Sequence, residues 1–211
     1  MPRPRAIVFD LDGTLVDSLP DIVGAFQDAF HACGLEAPGD EDVRRHVGLP
    51  LEAMYADFAP DGRVTELCDA YRRIYPQRFT RASRPFPGVR EVLAELRGHG
   101  FRLGVATTKR TEMAVRFVAA MGLDGALDHV QGTDGFPHKP APDVVLRSLA
   151  ALEADGTWMV GDTVHDVEAG KAAGLATFAV TWGTHDAATL ASAAPDRLEA
   201  DLDTLVAAVL G

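Results

Sequence analysis

The stretch Ile7-Val-Phe-Asp-Leu-Asp-Gly-Thr-Leu-Val-Asp-Ser18 places two acids, Asp10 and Asp12, directly after an apolar run. Ala6 to Phe9 is short and continuously apolar, the pattern of a strand buried on both faces. Ending such a strand with two like charges is unfavourable unless something binds them, so the residues that could join them become the question.

The rest of the chain shows which sheet this strand enters. From Leu19 the apolar period turns helical, with Leu19, Ile22, Val23, Phe26, Phe30 and Cys33 on one face and Gly34 as the stop. A second helix is marked by Val64, Leu67, Cys68, Tyr71, Ile74 and Tyr75, and no strand pattern occurs between about residue 19 and Arg84. Arg84-Pro-Phe-Pro-Gly88 then interrupts the chain as a hinge would. Beyond Gly88, helical patterns alternate with strand candidates at Phe101 to Ala106, Leu127 to Val130, Trp158 to Val160 and Thr177 to Val180. That alternation predicts a parallel sheet with helices on both faces, and the isolated strand at 6–9 must join it. The all-helical unit is then an insertion. The expected α/β core comprises residues 1–16 and 85–211, and the inserted helical domain residues 17–84.

Composition limits the function. Among 211 residues, 47% are hydrophobic and 24% charged, and 31 acids against 20 lysines and arginines leave a net charge of −11. A chain so acidic lacks the basic stripe of a nucleic-acid binder, so no nucleic-acid partner is expected. Cys33 and Cys68 lie in apolar helical patterns and read as core residues. The four-residue apolar run before Asp10 is too short for a signal peptide or a membrane span, so a cytoplasmic location and no membrane partner are expected. Oligomeric state is left as monomer or homodimer.

In open α/β sheets, ligands collect at the carboxyl ends of the strands. The residues following each strand are Asp10 and Asp12; Thr107, Thr108 and Lys109; and Gly161, Asp162 and Asp166, with His138-Lys139-Pro140 in a loop before a helix. Four carboxylates in one crevice call for a hard divalent cation, and Mg²⁺ suits oxygen ligands of this kind. Lysine and hydroxyls beside a metal form a cradle for an anion such as phosphate. With seventeen arginines and only Lys109, Lys139 and Lys171 as lysines, two of the three lysines fall at this site. Asp162 and Asp166, four apart at a helix start, are expected to share one helix face. Lys109 reads as a solvated neighbour, and Asp17, Asp134 and His165 as surface or supporting residues.

Taken in order, DLDGT at Asp10 to Thr14, Thr107 after a strand, Lys139 in HKPAPD and GDTVHD at Gly161 to Asp166 resemble the four motifs of the haloacid dehalogenase superfamily of phosphohydrolases. The likeness spans nearly the whole chain, and the insertion resembles that superfamily's α-helical cap, closest to its phosphoglycolate phosphatase-like members. It implies a Rossmann-like core in which the strands ending at Asp10, Thr107 and Asp162 lie side by side. It further implies Asp10 as nucleophile forming an aspartyl-phosphate, Asp12 as general acid and base, and Mg²⁺ held by Asp10, the Asp12 carbonyl and Asp162, with Asp166 on the metal or its water. Thr107, Thr108 and Lys139 would hold the phosphoryl group. Within the cap, Gly48 in Val47-Gly-Leu-Pro50 is a candidate to read the leaving group, and Arg44 or Arg45 before it is a candidate to pair with a substrate carboxylate.

The same core supports rival reactions. Dehalogenases of the superfamily generally lack the second acid, which Asp12 supplies here. Phosphonatases carry a cap lysine, and residues 17–84 contain none. A phosphomutase shares the nucleophile and acid, and a receiver-type signalling module shares the acidic pocket. The expected activity is a phosphatase of small phosphorylated metabolites, with phosphoglycolate first and pyrophosphate or a sugar phosphate next.

Overall fold

The computed structural model describes residues 3–210; Met1, Pro2 and Gly211, at the outer ends of the expected core segments, lie outside the described residues. The first strand, β1 (Arg5–Phe9), is followed by a two-residue strand β2 (Val16–Asp17) and helices α1 (Leu19–Ala32), α2 (Asp40–Arg44), α3 (Leu51–Ala56) and α4 (Val64–Ile74). A 3-10 turn at Tyr75–Gln77 and strand β3 (Arg84–Pro85) complete this passage. Then come α5 (Val89–Gly98), β4 (Arg102–Ala106), α6 (Thr111–Ala120), β5 (His129–Gln131), α7 (Asp143–Leu152) and β6 (Asp155–Gly161). The chain ends with α8 (Val164–Ala172), β7 (Ala176–Val180), α9 (Ala187–Ser192), β8 (Arg197–Glu199) and α10 (Asp203–Leu210).

Six strands form one sheet in the order β5-β4-β1-β6-β7-β8, every adjacent pair parallel. β1 therefore lies between β4 and β6, and the strands that end before Asp10, Thr107 and Asp162 are neighbours. Ala6, Ile7, Val8 and Phe9 are fully buried because the sheet is covered on both faces. Ile7 and Phe9 join the apolar cluster that includes α5, α6 and α10, whereas Val8 joins a second cluster with Val144, Val145 and Ala169 from α7 and α8. The same alternation runs through Val105 and Ala106 in β4 and through Val160 and Met159 in β6. A pleated strand sends successive side chains to opposite faces, so this continuous apolar run serves both layers.

The chain leaves this core and returns to it through a paired crossing. β2 and β3 are antiparallel, Val16 opposite Pro85 and Asp17 opposite Arg84, and Phe86 N–H donates to the Leu15 carbonyl at 3.0 Å. On α1, buried Asp21 accepts from the backbone N–H groups of Ala82 and Ser83 at 2.9 and 2.8 Å and from the Ser83 hydroxyl at 2.8 Å, fastening the exit segment to the entry helix. Between the crossings the helices pack on an aromatic centre in which Phe26 and Tyr55 stack at 4.0 Å.

Several strands differ from the sequence expectation. The two-residue β2 and β3 carry no strand pattern, β5 is displaced from Leu127–Val130 to His129–Gln131, and β6 begins at Asp155, three residues before the apolar run, where Asp-Gly has turn chemistry. β8 is a three-residue edge strand, Arg-Leu-Glu, with too little apolar signal to register. Among the described residues no helix is long and apolar enough to cross a membrane.

Candidate active site

Asp10 sits one residue beyond β1, its N–H donating to the Val160 carbonyl of β6 at 2.8 Å, so the sheet itself fixes where the carboxylate emerges. Asp162 follows β6, and Asp166 lies in the first turn of α8. One carboxylate oxygen from each of Asp10, Asp162 and Asp166 lies within 4.8 Å of the others, and all three residues are buried. Asp162 precedes the helix, which starts at Val164, so the expected shared helix face is corrected: the two acids meet because a strand end and a helix start converge.

Lys139 supplies the countercharge. Its Nζ donates to Asp10 Oδ1 at 2.6 Å, to Asp166 Oδ1 at 2.5 Å and to the Ala106 carbonyl at 3.0 Å, which satisfies all three donors of a buried ammonium. Burial depresses its pKa, but the two carboxylates raise it by more, so the lysine stays charged. Asp166 uses its other oxygen for its own helix, accepting from Thr163 N–H at 2.9 Å and Thr163 Oγ1 at 2.7 Å in a capping box. Helix capping and participation in the cluster are thus compatible in one side chain.

Three carboxylates against one ammonium leave the cluster overcharged. Burial, reinforced by Asp166, Asp162 and Asp12, pushes the Asp10 carboxyl well above the usual range despite Lys139. Burial and Asp166 raise Asp162 to about 6, although hydrogen bonds from Thr14 and Thr184 oppose this. Those bonds are Thr14 Oγ1 to Oδ1 at 2.7 Å and Thr184 N–H to Oδ2 at 2.7 Å. Buried oxygen donors with excess negative charge fit a hard divalent cation. Gly13, at φ +81°, makes the turn that follows Asp12, and a Cβ there would lie 2.3 Å from Asp162 Oδ2.

Asp12 faces elsewhere. Its carboxylate accepts from Ser18 Oγ at 2.6 Å and from Lys109 Nζ at 2.7 Å, outside the three-acid cluster. The expectation that Lys109 is a solvated neighbour is corrected: its side chain is 12% exposed and its ammonium stands 4.8 Å above the Tyr75 ring and 5.1 Å above that of Phe117. Sequence patterning does not reveal this contact, because the pairing spans 97 residues and needs β1 beside β4.

The other expected residues divide. Thr107 is buried at the end of β4, with its Oγ1 accepting from Lys109 N–H at 3.3 Å and its carbonyl from Thr133 Oγ1 at 3.0 Å. Thr108, Gly48, Asp10, Asp12 and Lys139 all line one cavity between the sheet's carboxyl edge and the helical insertion, with a volume near 760 Å³. Gly48 brings the insertion against the core, since a Cβ on it would lie 3.1 Å from Thr163 Cγ2. Arg45 is not brought in: it is exposed, pairs with Asp42 one helical turn back and lies off the cavity wall. Arg44, 3.9 Å from Glu41, is likewise outside. Thr14, Ser18, Lys109, Thr163 and Thr184 are the site residues that sequence reasoning missed.

Residues 7–180 match the family described as haloacid dehalogenase-like hydrolase. The chain is 38% identical over 198 residues to the probable phosphatase IndB of Dickeya dadantii, covering 90% of this chain and 86% of that one. It is 34% identical over 182 residues to a phosphoglycolate phosphatase of Aquifex aeolicus, covering 85% of each. Its structure superposes on a haloacid dehalogenase-like hydrolase from Streptococcus pneumoniae with a TM-score of 0.89, at 27% identity and 98% coverage of both chains.

Proposed function

This chain belongs to the haloacid dehalogenase-like hydrolase family and is a phosphatase, and from that premise we propose that it hydrolyses phosphate monoesters through a covalent intermediate on Asp10 with Mg²⁺ as cofactor. The observation that carries the reading is Lys139, whose ammonium bridges Asp10 and Asp166 inside a buried, overcharged carboxylate cluster. Asp10, Asp162 and Asp166 are the side chains that would hold the ion. When bound, it offsets their charge and that of the phosphoryl group.

Asp10 attacks phosphorus, and as the new oxygen–phosphorus bond forms, the bond to the leaving oxygen breaks. Asp12, on the cavity side of the turn, gives that oxygen a proton, then takes one from the water that cleaves the aspartyl-phosphate. Lys139 opposes the burial-driven rise in the Asp10 pKa and orients the attacking carboxylate, and Thr107 and Thr108 bracket the phosphoryl site. Residues 17–84 act as the cap over this chemistry, with Gly48 set against Thr163 of the core.

The test is inorganic phosphate release with Mg²⁺ and with chelator, coupled to mass measurement of the trapped protein. A phosphate adduct on wild type that is absent from Asp10→Asn is expected; release that persists in Asp10→Asn would remove the covalent route. Phosphoglycolate, favoured by the sequence resemblance and by the name of the Aquifex relative, would need a cation for its carboxylate. The arginine expected to provide one, Arg45, lies outside the cavity.

A further inference from the structure

We infer that the leaving group of the natural substrate is an uncharged, ring-bearing alcohol and not a short carboxylate. This rests on the phosphatase reading above and identifies its substrate class from the walls of the cavity. At about 760 Å³ the cavity is in the range that encloses ligands the size of a nucleoside or a drug, far more than a two-carbon acid fills.

Its walls are apolar where the leaving group must go. Val47, Leu49 and Met54 from the insertion and Met113 from α6 face the same space as Tyr71 and Tyr75, whose rings stack at 5.2 Å with an interplanar angle of 10°. A single ammonium, that of Lys109, separates Asp12 from the Tyr75 ring. Tyr75 is itself buried, stacked on Tyr71 and overlain by the Lys109 ammonium, so an alcohol protonated by Asp12 meets the partly exposed Tyr71 and the apolar side chains beside it, which favours a flat apolar ring.

The cations of the cavity are already engaged. Lys139 is held by Asp10 and Asp166, Lys109 by Asp12, Arg72 by Glu52 and by Asp69 at 3.2 Å, and Arg110 faces Asp134 at 3.8 Å. Arg116 alone among the described lining cations has no acidic partner, and it is exposed at the rim. A carboxylate on the leaving group would be desolvated against Leu49 and Met54 without a buried partner, which is costly.

Phosphates of three primary alcohols separate the possibilities: ethyl phosphate, phosphoglycolate and benzyl phosphate, assayed by phosphate release with Mg²⁺. Benzyl phosphate is expected to exceed both others in kcat/KM by about tenfold or more, the range a filled apolar pocket provides. Leu49→Arg, which places a cation on the apolar wall, should lower the benzyl to phosphoglycolate ratio by a similar factor. Phosphoglycolate matching or exceeding benzyl phosphate, or a ratio unmoved by Leu49→Arg, would overturn the inference and leave the phosphatase reading intact. Phosphate release from none of the three would bring down both.

Discussion

Lys109 Nζ lies 2.7 Å from Asp12 Oδ2, so the acid proposed to protonate the leaving group is held by a lysine that follows the neighbouring strand. Ser18, at the start of α1, holds the other oxygen at 2.6 Å. Lys109 and Asp12 both belong to the core, and the ammonium rests on the Tyr75 ring of the insertion and the Phe117 ring of α6. Lys109→Met keeps the aliphatic stem packed and removes only the charge. We expect kcat to fall by roughly 10²-fold, the scale of a misplaced acid–base group, with a melting temperature close to wild type and partial recovery in Lys109→Arg. A melting temperature that drops in step with activity would assign Lys109 to folding instead.

If the cluster holds Mg²⁺ as proposed, stability should depend on pH and metal together. Asp10 and Asp162 have folded-state pKa values above their ordinary ones, Asp162 at about 6, so the folded protein binds protons that the unfolded chain releases. That contribution is fully present below the unfolded carboxylate pKa, about 4, and is lost as pH rises through the folded values. Chelated protein should therefore gain more from Mg²⁺ at pH 7.5 than at pH 5, where protons occupy the same oxygens. Saturating Mg²⁺ is expected to raise the melting temperature by about 5 °C at pH 7.5. Equal shifts at both pH values would place the ion elsewhere.

Opposite substitutions in the cluster should move stability in opposite directions. Lys139→Met leaves Asp10 and Asp166 buried beside each other with no cation, and about 3 kcal/mol of stability should be lost with the activity. Asp10→Asn removes one of three buried carboxylates, so metal-free protein at pH 7.5 should melt no lower than wild type while phosphate release falls below detection. Calorimetry of both variants in chelator decides this; a large loss of stability in Asp10→Asn would mean that the Lys139 pairing outweighs the repulsion.

What the sequence disclosed follows the range of the interactions. The run Ala6 to Phe9 and the later strands were legible because burial on both faces leaves a local apolar signature. Asp10 and Asp162 were legible as acids at strand ends, and Lys139 and Asp166 as charged residues in the loop and helix start that follow the strands. The role of Lys109 was not, since an ammonium finds Asp12 only after β4 lies against β1. Thr14 and Thr184, which orient Asp162, carry no local signal of that contact for the same reason. Arg45 shows the converse: a basic residue near the right loop turned back along its own helix to Asp42, an adjacent partner that competes with any ligand.

Two glycines with similar backbone angles separate strain from collision. Gly13 and Gly34 have φ of +81° and +69°, so alanine at either position meets the left-handed penalty, about 1 kcal/mol. At Gly34 nothing lies within 4 Å of an added Cβ, whereas at Gly13 it would sit 2.3 Å from Asp162 Oδ2 and 2.8 Å from its Cγ. Asp162 cannot yield without breaking its bonds to Thr14 and Thr184. Gly34→Ala should therefore lose only about 1 kcal/mol and keep full activity. Gly13→Ala should lose roughly 3 kcal/mol, together with phosphate release and the melting shift produced by Mg²⁺. If the two variants lose equal stability and both retain the Mg²⁺ shift, then Asp162 is not held where the turn places it, and the metal site would have to be assembled differently.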